Sequence, residues 1–159
     1  AGDTSLSDKL IQQTGIIGEK IEIGNFQKLS GKYIGGYVHA GNKIAAMVAL
    51  SNSTQSCEEI SKNVAMQVAA MNPLALNENS VDAIIVEKET EIIKEQLIKE
   101  GRPENIIDNI IAGKLKRFYK DNTLVNQSYI KHSKISVGDY VKSIDKDLSI
   151  TSFVRVSLV

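Results

Sequence analysis

Hydrophobic positions in residues 56–76 recur at helical spacing. Ile60, Val64, Val68 and Met71 fall four, four and three residues apart, which puts all four on one face. The small Ala65, Ala69 and Ala70 beside them let another element pack closely. Ser56 with Glu59 three residues on predicts a capping box at the start of this helix. Asn72 before Pro73 predicts its end, because proline disfavours helical backbone in the residue ahead of it. The pattern is that of a core helix around which the chain is organised.

Ahead of that helix the period shortens. Residues 5–13 read as the end of a helix, with Leu6, Leu10 and Ile11 on one side and Gly15 placed as its stop. In residues 16–23, Ile21 and Ile23 alternate with charged positions, which predicts a strand with one face buried. Residues 32–39 and 43–50 are β-rich runs joined by Ala40, Gly41 and Asn42, a sequence suited to a tight hairpin. Gly35 and Gly36 inside the first run predict a bulge or a close approach by another backbone.

Behind the helix, residues 72–79 read as a loop, and Ser80 is placed to cap a helix from Val81 to about Glu100. Gly101 supplies the stop, and Pro103 fits the first turn of a further helix through Ile106, Ile107, Ile110, Ile111, Leu115 and Phe118. Two helices joined by Gly-Arg-Pro form an antiparallel hairpin. Its apolar doublets, Ile84-Ile85, Ile92-Ile93 and Leu97-Ile98, make a stripe wider than a coiled-coil seam, enough to touch both a domain and a partner. Ser136 with Asp139 predicts a capped short helix, with Ile135 and Tyr140 as a hydrophobic staple. Val154, Val156 and Leu158 alternate as a closing strand, expected to join the hairpin sheet because a free apolar edge invites aggregation.

The sum is an α+β fold: a small antiparallel β-sheet packed with helices, plus a protruding antiparallel helical hairpin. The expected organisation is a core subdomain in 1–80 (with the end of a preceding subdomain in 1–15), the hairpin in 81–120, and the closing part of the core in 121–159. A chain of 159 residues with 42% hydrophobic and 24% charged positions suits such a globular unit. Nineteen basic and nineteen acidic side chains balance, so no net field draws the chain to nucleic acid or an anionic membrane. No apolar run approaches the ~20 residues that cross a bilayer. The single Cys57 forms no internal disulfide and suits a reducing cytoplasm. The sequence starts Ala-Gly-Asp-Thr-Ser without Met, as a processed chain or a piece of a longer one would.

Candidate chemistry is sparse. His39 and His132 have no Cys, His or carboxylate at metal-ligand spacing, so no metal site is expected. Cys57, first in a capped helix, invites a thiolate reading, but the motif logic of cysteine enzymes is not met. The glycines lack the strand-loop-helix context and the Lys-Ser/Thr of a phosphate loop. Lys114, Lys116, Arg117 and Lys120 are read first as charge favourable to a helix C-terminus, and the charges from Glu87 to Lys99 as a solvated face. His39, at the lip of the predicted hairpin, can project toward a partner. The inventory describes a protein that is not an enzyme and needs no cofactor.

Several collinear motifs resemble the translation elongation factor Ts family: Tyr37-Val38-His39 before the hairpin, the run Asn63-Val-Ala-Met-Gln-Val-Ala-Ala-Met-Asn-Pro-Leu-Ala-Leu76, and Val86-Glu-Lys-Glu-Thr-Glu-Ile-Ile-Lys94. Ile111-Ala-Gly-Lys-Leu-Lys-Arg-Phe-Tyr119, Ser136-Val-Gly-Asp-Tyr140 and Phe153-Val-Arg155 continue the resemblance, which covers roughly Ile16 to the C-terminus. It implies a cytoplasmic guanine-nucleotide exchange factor, or part of one, for the GTPase elongation factor Tu. In that family two related α+β subdomains grip the GTPase, and a helical hairpin protrudes from the second. Ile17-Gly18 matches the family's Ile-Gly pair and His39 its histidine, both of which meet the GTPase's nucleotide domain. The family's ubiquitin-associated-like domain and Thr-Asp-Phe-Val segment have no counterpart here, so docking with weak exchange is expected. The alternative is a module that self-associates, as a homodimer, through the 81–120 hairpin.

Overall fold

The computed structural model describes residues 4–158. In chain order it has a helix α1 (Leu6–Ile17), strands β1 (Tyr33–Val38) and β2 (Ile44–Leu50), α2 (Cys57–Met71), a 3-10 turn at Glu78–Ser80, and the helices α3 (Ala83–Lys99) and α4 (Glu104–Asn122). Strands β3 (Ser128–Tyr129) and β4 (His132–Ser136), helix α5 (Val137–Ile144) and strand β5 (Ile150–Ser157) follow. The main sheet has the order β1-β2-β5 and is antiparallel throughout, with Gly36 opposite Met47 and Met47 opposite Val154. The C-terminal strand therefore joins the hairpin sheet, as its alternation predicts. The small β3–β4 sheet has no clear signal in the sequence, since its strands are too short and polar to show a period.

The β1–β2 turn uses the residues chosen for it. Gly41 and Asn42 take φ of 89° and 55°, a region that glycine enters freely and asparagine tolerates. Helix α2 lies on one face of the sheet. Its Ile60, Val64, Ala65 and Val68 are fully buried in one cluster with Ala46, Val48 and Leu50 of β2. Leu124, Val137, Val141 and Leu148 complete that core from the C-terminal third of the chain. Met71 departs from expectation: it is 48% exposed, because the buried stretch of α2 ends at Ala69.

Gly35 marks a close approach, made by a side chain rather than a backbone. Register through β1 is regular, and a Cβ on Gly35 would lie 1.9 Å from Ser61 Oγ and 2.4 Å from Ser61 Cβ on α2. The glycine lets the helix sit down on the sheet.

Two buried amides of α2 then fix the C-terminal third against it. Gln67 Nε2 donates to Gln127 Oε1 (3.2 Å) and to the Ser128 carbonyl (3.1 Å), while the Ile130 N–H donates to Gln67 Oε1 (2.8 Å). Asn63 Nδ2 donates to Tyr140 Oη at 2.7 Å and its Oδ1 accepts from Lys131 Nζ at 2.7 Å. Tyr140 in turn stacks on Tyr129, with ring centroids 4.1 Å apart. Burial and the neighbouring Tyr140 hydroxyl hold the Tyr129 phenol above the ordinary tyrosine range.

Several local expectations are corrected. Ser56 makes no side-chain cap: at φ −80°, ψ −10° its backbone is already helical, whereas a capping side chain needs extended backbone to reach the first turn. The start of α2 is organised by Cys57 instead, whose Sγ accepts from the Thr54 N–H at 3.2 Å and donates to the Asn52 carbonyl at 3.4 Å. Gly15 does not stop the first helix, which starts at a capping Ser5 and runs to Ile17, ending on Gly18 at φ 78°. Ile16 and Ile17 are thus helical, and Ile21 and Ile23 lie in a segment without strand pairing, since the edges of the sheet are β1 and β5. Alternation alone supplies no hydrogen-bonding neighbour.

Ser80 does not cap α3, because it is used up in the 3-10 turn, where it exchanges hydrogen bonds with Asn77. The cap is Asp82, whose Oδ1 accepts from the Ile84 N–H at 2.9 Å. Asp82→Ala is accordingly expected to lower stability by about 1 kcal/mol in urea melts, and Ser80→Ala at that helix end by less. Pro103 sits one position earlier than expected, as the cap of α4 with Glu104 its first helical residue.

Helices α3 and α4 form the expected antiparallel pair, turned at Gly101 with φ 71°. They share a core of their own, Ile93, Leu97, Ile107 and Ile111, separate from the cluster around α2. At the base, a parallel bridge pairs Ala75 with Thr123, and the Leu74 N–H donates to the Asn122 carbonyl at 2.9 Å. Helix α5 begins with the predicted capping box, Ser136 and Asp139 each bonding the other's backbone. The Ser136 hydroxyl bond, with its N–H, holds the Asp139 carboxyl below its ordinary range.

Candidate partner-docking site

The residues predicted to meet a partner lie in two places. Ile17 and Gly18 form the end of α1, a helix that buries none of its side chains. Ile17 is 55% exposed, and the left-handed Gly18 has no atom within 4 Å of where a Cβ would stand. Together they offer an apolar side chain beside bare backbone, a surface against which another helix can come close. His39 lies at the β1–β2 turn and is exposed. Among the described residues, no hydrogen bond or ion pair joins Ile17 or Gly18 to His39.

The geometry of the turn explains how His39 is displayed. Its N–H donates to the Ile44 carbonyl at 2.8 Å, and its carbonyl accepts from the Asn42 N–H at 3.0 Å. The backbone is therefore held from both sides of the turn while the ring faces outward. Tyr37, two residues back on the same strand face, places its hydroxyl 3.1 Å from His39 Nδ1. The sequence motif contained this tyrosine without revealing the contact; the two-residue spacing was the available signal.

The other candidates resolve into structure. Cys57 is fully buried and its thiol is engaged by Thr54 and Asn52, so it does not face a substrate. Among the described residues, no three His, Cys, Asp or Glu side chains gather as a metal site. Lys116, Arg117 and Lys120 line one side of a cleft that also holds Glu78 and Asp139. Arg117 also pairs with Asp121 at 3.5 Å in an exposed i,i+4 contact worth only tenths of a kcal/mol. That mixture of signs makes a poor phosphate cradle. No helix is long and apolar enough to cross a membrane among the described residues.

These features define an α+β module with a helical arm, whose exposed apolar and hydrogen-bonding groups suit non-covalent docking. The chain belongs to the elongation factor Ts family: the family profile described as Elongation factor TS matches residues 1–159. It is 58% identical over 154 residues to the elongation factor Ts of Flavobacterium psychrophilum, an alignment covering 97% of this chain and 56% of that protein. It is 57% identical over 154 residues to that of Christiangramia forsetii, again 97% of this chain and 56% of the relative. At 41% identity it matches that of Azobacteroides pseudotrichonymphae over 149 residues, 94% of this chain and 54% of the relative. The chain thus spans little more than half the length of these curated relatives.

Proposed function

We propose that this chain docks on the translational GTPase elongation factor Tu in the cytoplasm and promotes release of its bound GDP. It acts by binding alone, with no covalent step and no cofactor. The observation that carries this reading is membership of the elongation factor Ts family along the whole sequence. Residues 1–80 and 121–159 supply the docking body, with Ile17, Gly18 and His39 at the contact, and residues 81–120 the arm. A binder accelerates exchange only through its difference in affinity for the nucleotide-free and nucleotide-bound partner.

The test is to mix the chain with elongation factor Tu loaded with fluorescent GDP and follow both complex formation and nucleotide release. Complex formation with modestly faster release supports the reading. If neither appears at high micromolar protein, the reading is wrong. His39→Ala is expected to weaken the complex about fivefold or more, the size of a contact residue well inside an interface; unchanged affinity removes His39 from the contact. Ile84, Ile92 and Ile98 are exposed along α3, which favours self-association through the arm as a second reading. Sedimentation over a concentration series separates the two, because a strict monomer excludes it.

A further inference from the structure

We propose that Tyr37 is a positioning residue for His39: its hydroxyl donates to Nδ1, so that the neutral ring carries its proton on Nε2 and presents that N–H to an acceptor on the docked partner. The inference rests on the reading of His39 as a partner contact. A neutral imidazole has one donor and one acceptor nitrogen, and which is which is set by the bond the first one makes. Here Nδ1 lies 3.1 Å from the Tyr37 hydroxyl. When that hydroxyl donates, Nδ1 is the acceptor and Nε2 is left as the donor.

Tyr37 can impose this orientation because its own ring is anchored on the core. It lies in regular register opposite Ala46, and its half-buried ring packs against the main core. Val38 between the two points to the other sheet face and is 60% exposed, so the strand's alternation is what brings Tyr37 and His39 together. The ring centroids are 6.0 Å apart and tilted by 57°, so the polar contact rather than stacking sets the histidine's rotation. With the His39 backbone held at both ends of the turn, one hydroxyl bond removes the ring freedom that docking would otherwise remove. Preorganisation of that kind strengthens binding without adding a contact to the partner.

Tyr37→Phe isolates the hydroxyl, since it keeps the ring packed on the core. Nitrogen NMR of the His39 ring in the full chain, at a pH where the imidazole is neutral, reads the orientation directly. The expected result is an unprotonated, hydrogen-bonded Nδ1 in the parent chain. In Y37F the Nδ1 signal shifts and the Nδ1–H form becomes detectable, while backbone signals of α2 and β5 stay put. Ring signals that are the same in both proteins overturn the proposal. Affinity for elongation factor Tu supplies the second readout. Y37F is expected to weaken docking about threefold to tenfold, and the double variant Y37F/H39A to bind no worse than H39A. Independent losses in that cycle overturn the positioning role. If the parent chain does not dock at all, the functional reading fails, and the presentation of Nε2–H to a partner fails with it; the ring spectra still decide whether Tyr37 orients His39.

Discussion

Gly35→Ala is expected to destabilise the chain by about 3 kcal/mol or more, at the upper end of what overpacking costs. The added methyl meets Ser61 Oγ at 1.9 Å and Ser61 Cβ at 2.4 Å, and the latter is fixed to the α2 backbone, so no rotamer change clears the way. Helix α2 must lift from the sheet. Because the same helix carries Ile60, Val64 and Val68 into the core, the lift loosens contacts well beyond the site of substitution. Urea denaturation gives the number, and a midpoint within error of the parent contradicts the packing account. Ser61→Gly removes both clashing atoms at a helix cost of about 1 kcal/mol, so the double variant should be more stable than Gly35→Ala alone. That reversal distinguishes a specific clash from a general dislike of side chains in β1.

Gln67→Leu is expected to cost about 3 kcal/mol although it keeps the volume of the side chain and adds apolar surface. The fully buried amide serves three groups: the Gln127 carbonyl oxygen, the Ser128 carbonyl and the Ile130 N–H. Leucine leaves the buried Gln127 oxygen, and the part-buried Ser128 carbonyl and Ile130 N–H, without that partner, and an unsatisfied buried group costs on the order of 1–3 kcal/mol. Part of the loss is local. Hydrogen exchange at the Ile130 amide should quicken more than exchange in β2, since the β3–β4 sheet is what Gln67 holds. A leucine variant within about 0.5 kcal/mol of the parent would mean that the segment finds other partners, against the view of Gln67 as a pin.

Elements with a long uninterrupted period were legible from the residues. The apolar spacing of α2, the Gly41-Asn42 turn, the paired arm helices and the alternation of β5 all predicted what the fold contains. Errors collected where one local signal competed with another. Ser56 and Ser80 are good capping residues by type, yet the chain spends Ser80 on a 3-10 turn and lets Cys57 organise the start of α2. Ile21 and Ile23 carry a strand's alternation with no strand beside them, which only the order of the sheet could reveal. Gln67 and Asn63 read as polar positions on a core helix, and their partners lie sixty or more residues away. At the β1–β2 turn the composition was readable, but the Tyr37–His39 bond depends on strand geometry that the residues alone leave open.

The separate core of the helical arm has a consequence for how this architecture can vary. Ile93, Leu97, Ile107 and Ile111 satisfy one another, and the bonds at the Ala75–Thr123 bridge fasten the base without drawing on them. Whole turns added or removed symmetrically near Gly101 would change the reach of the arm while leaving the core between α2 and the main sheet undisturbed. Arm length is therefore a modular dimension of the molecule, free to drift or be engineered in steps of about 5.4 Å per helical turn.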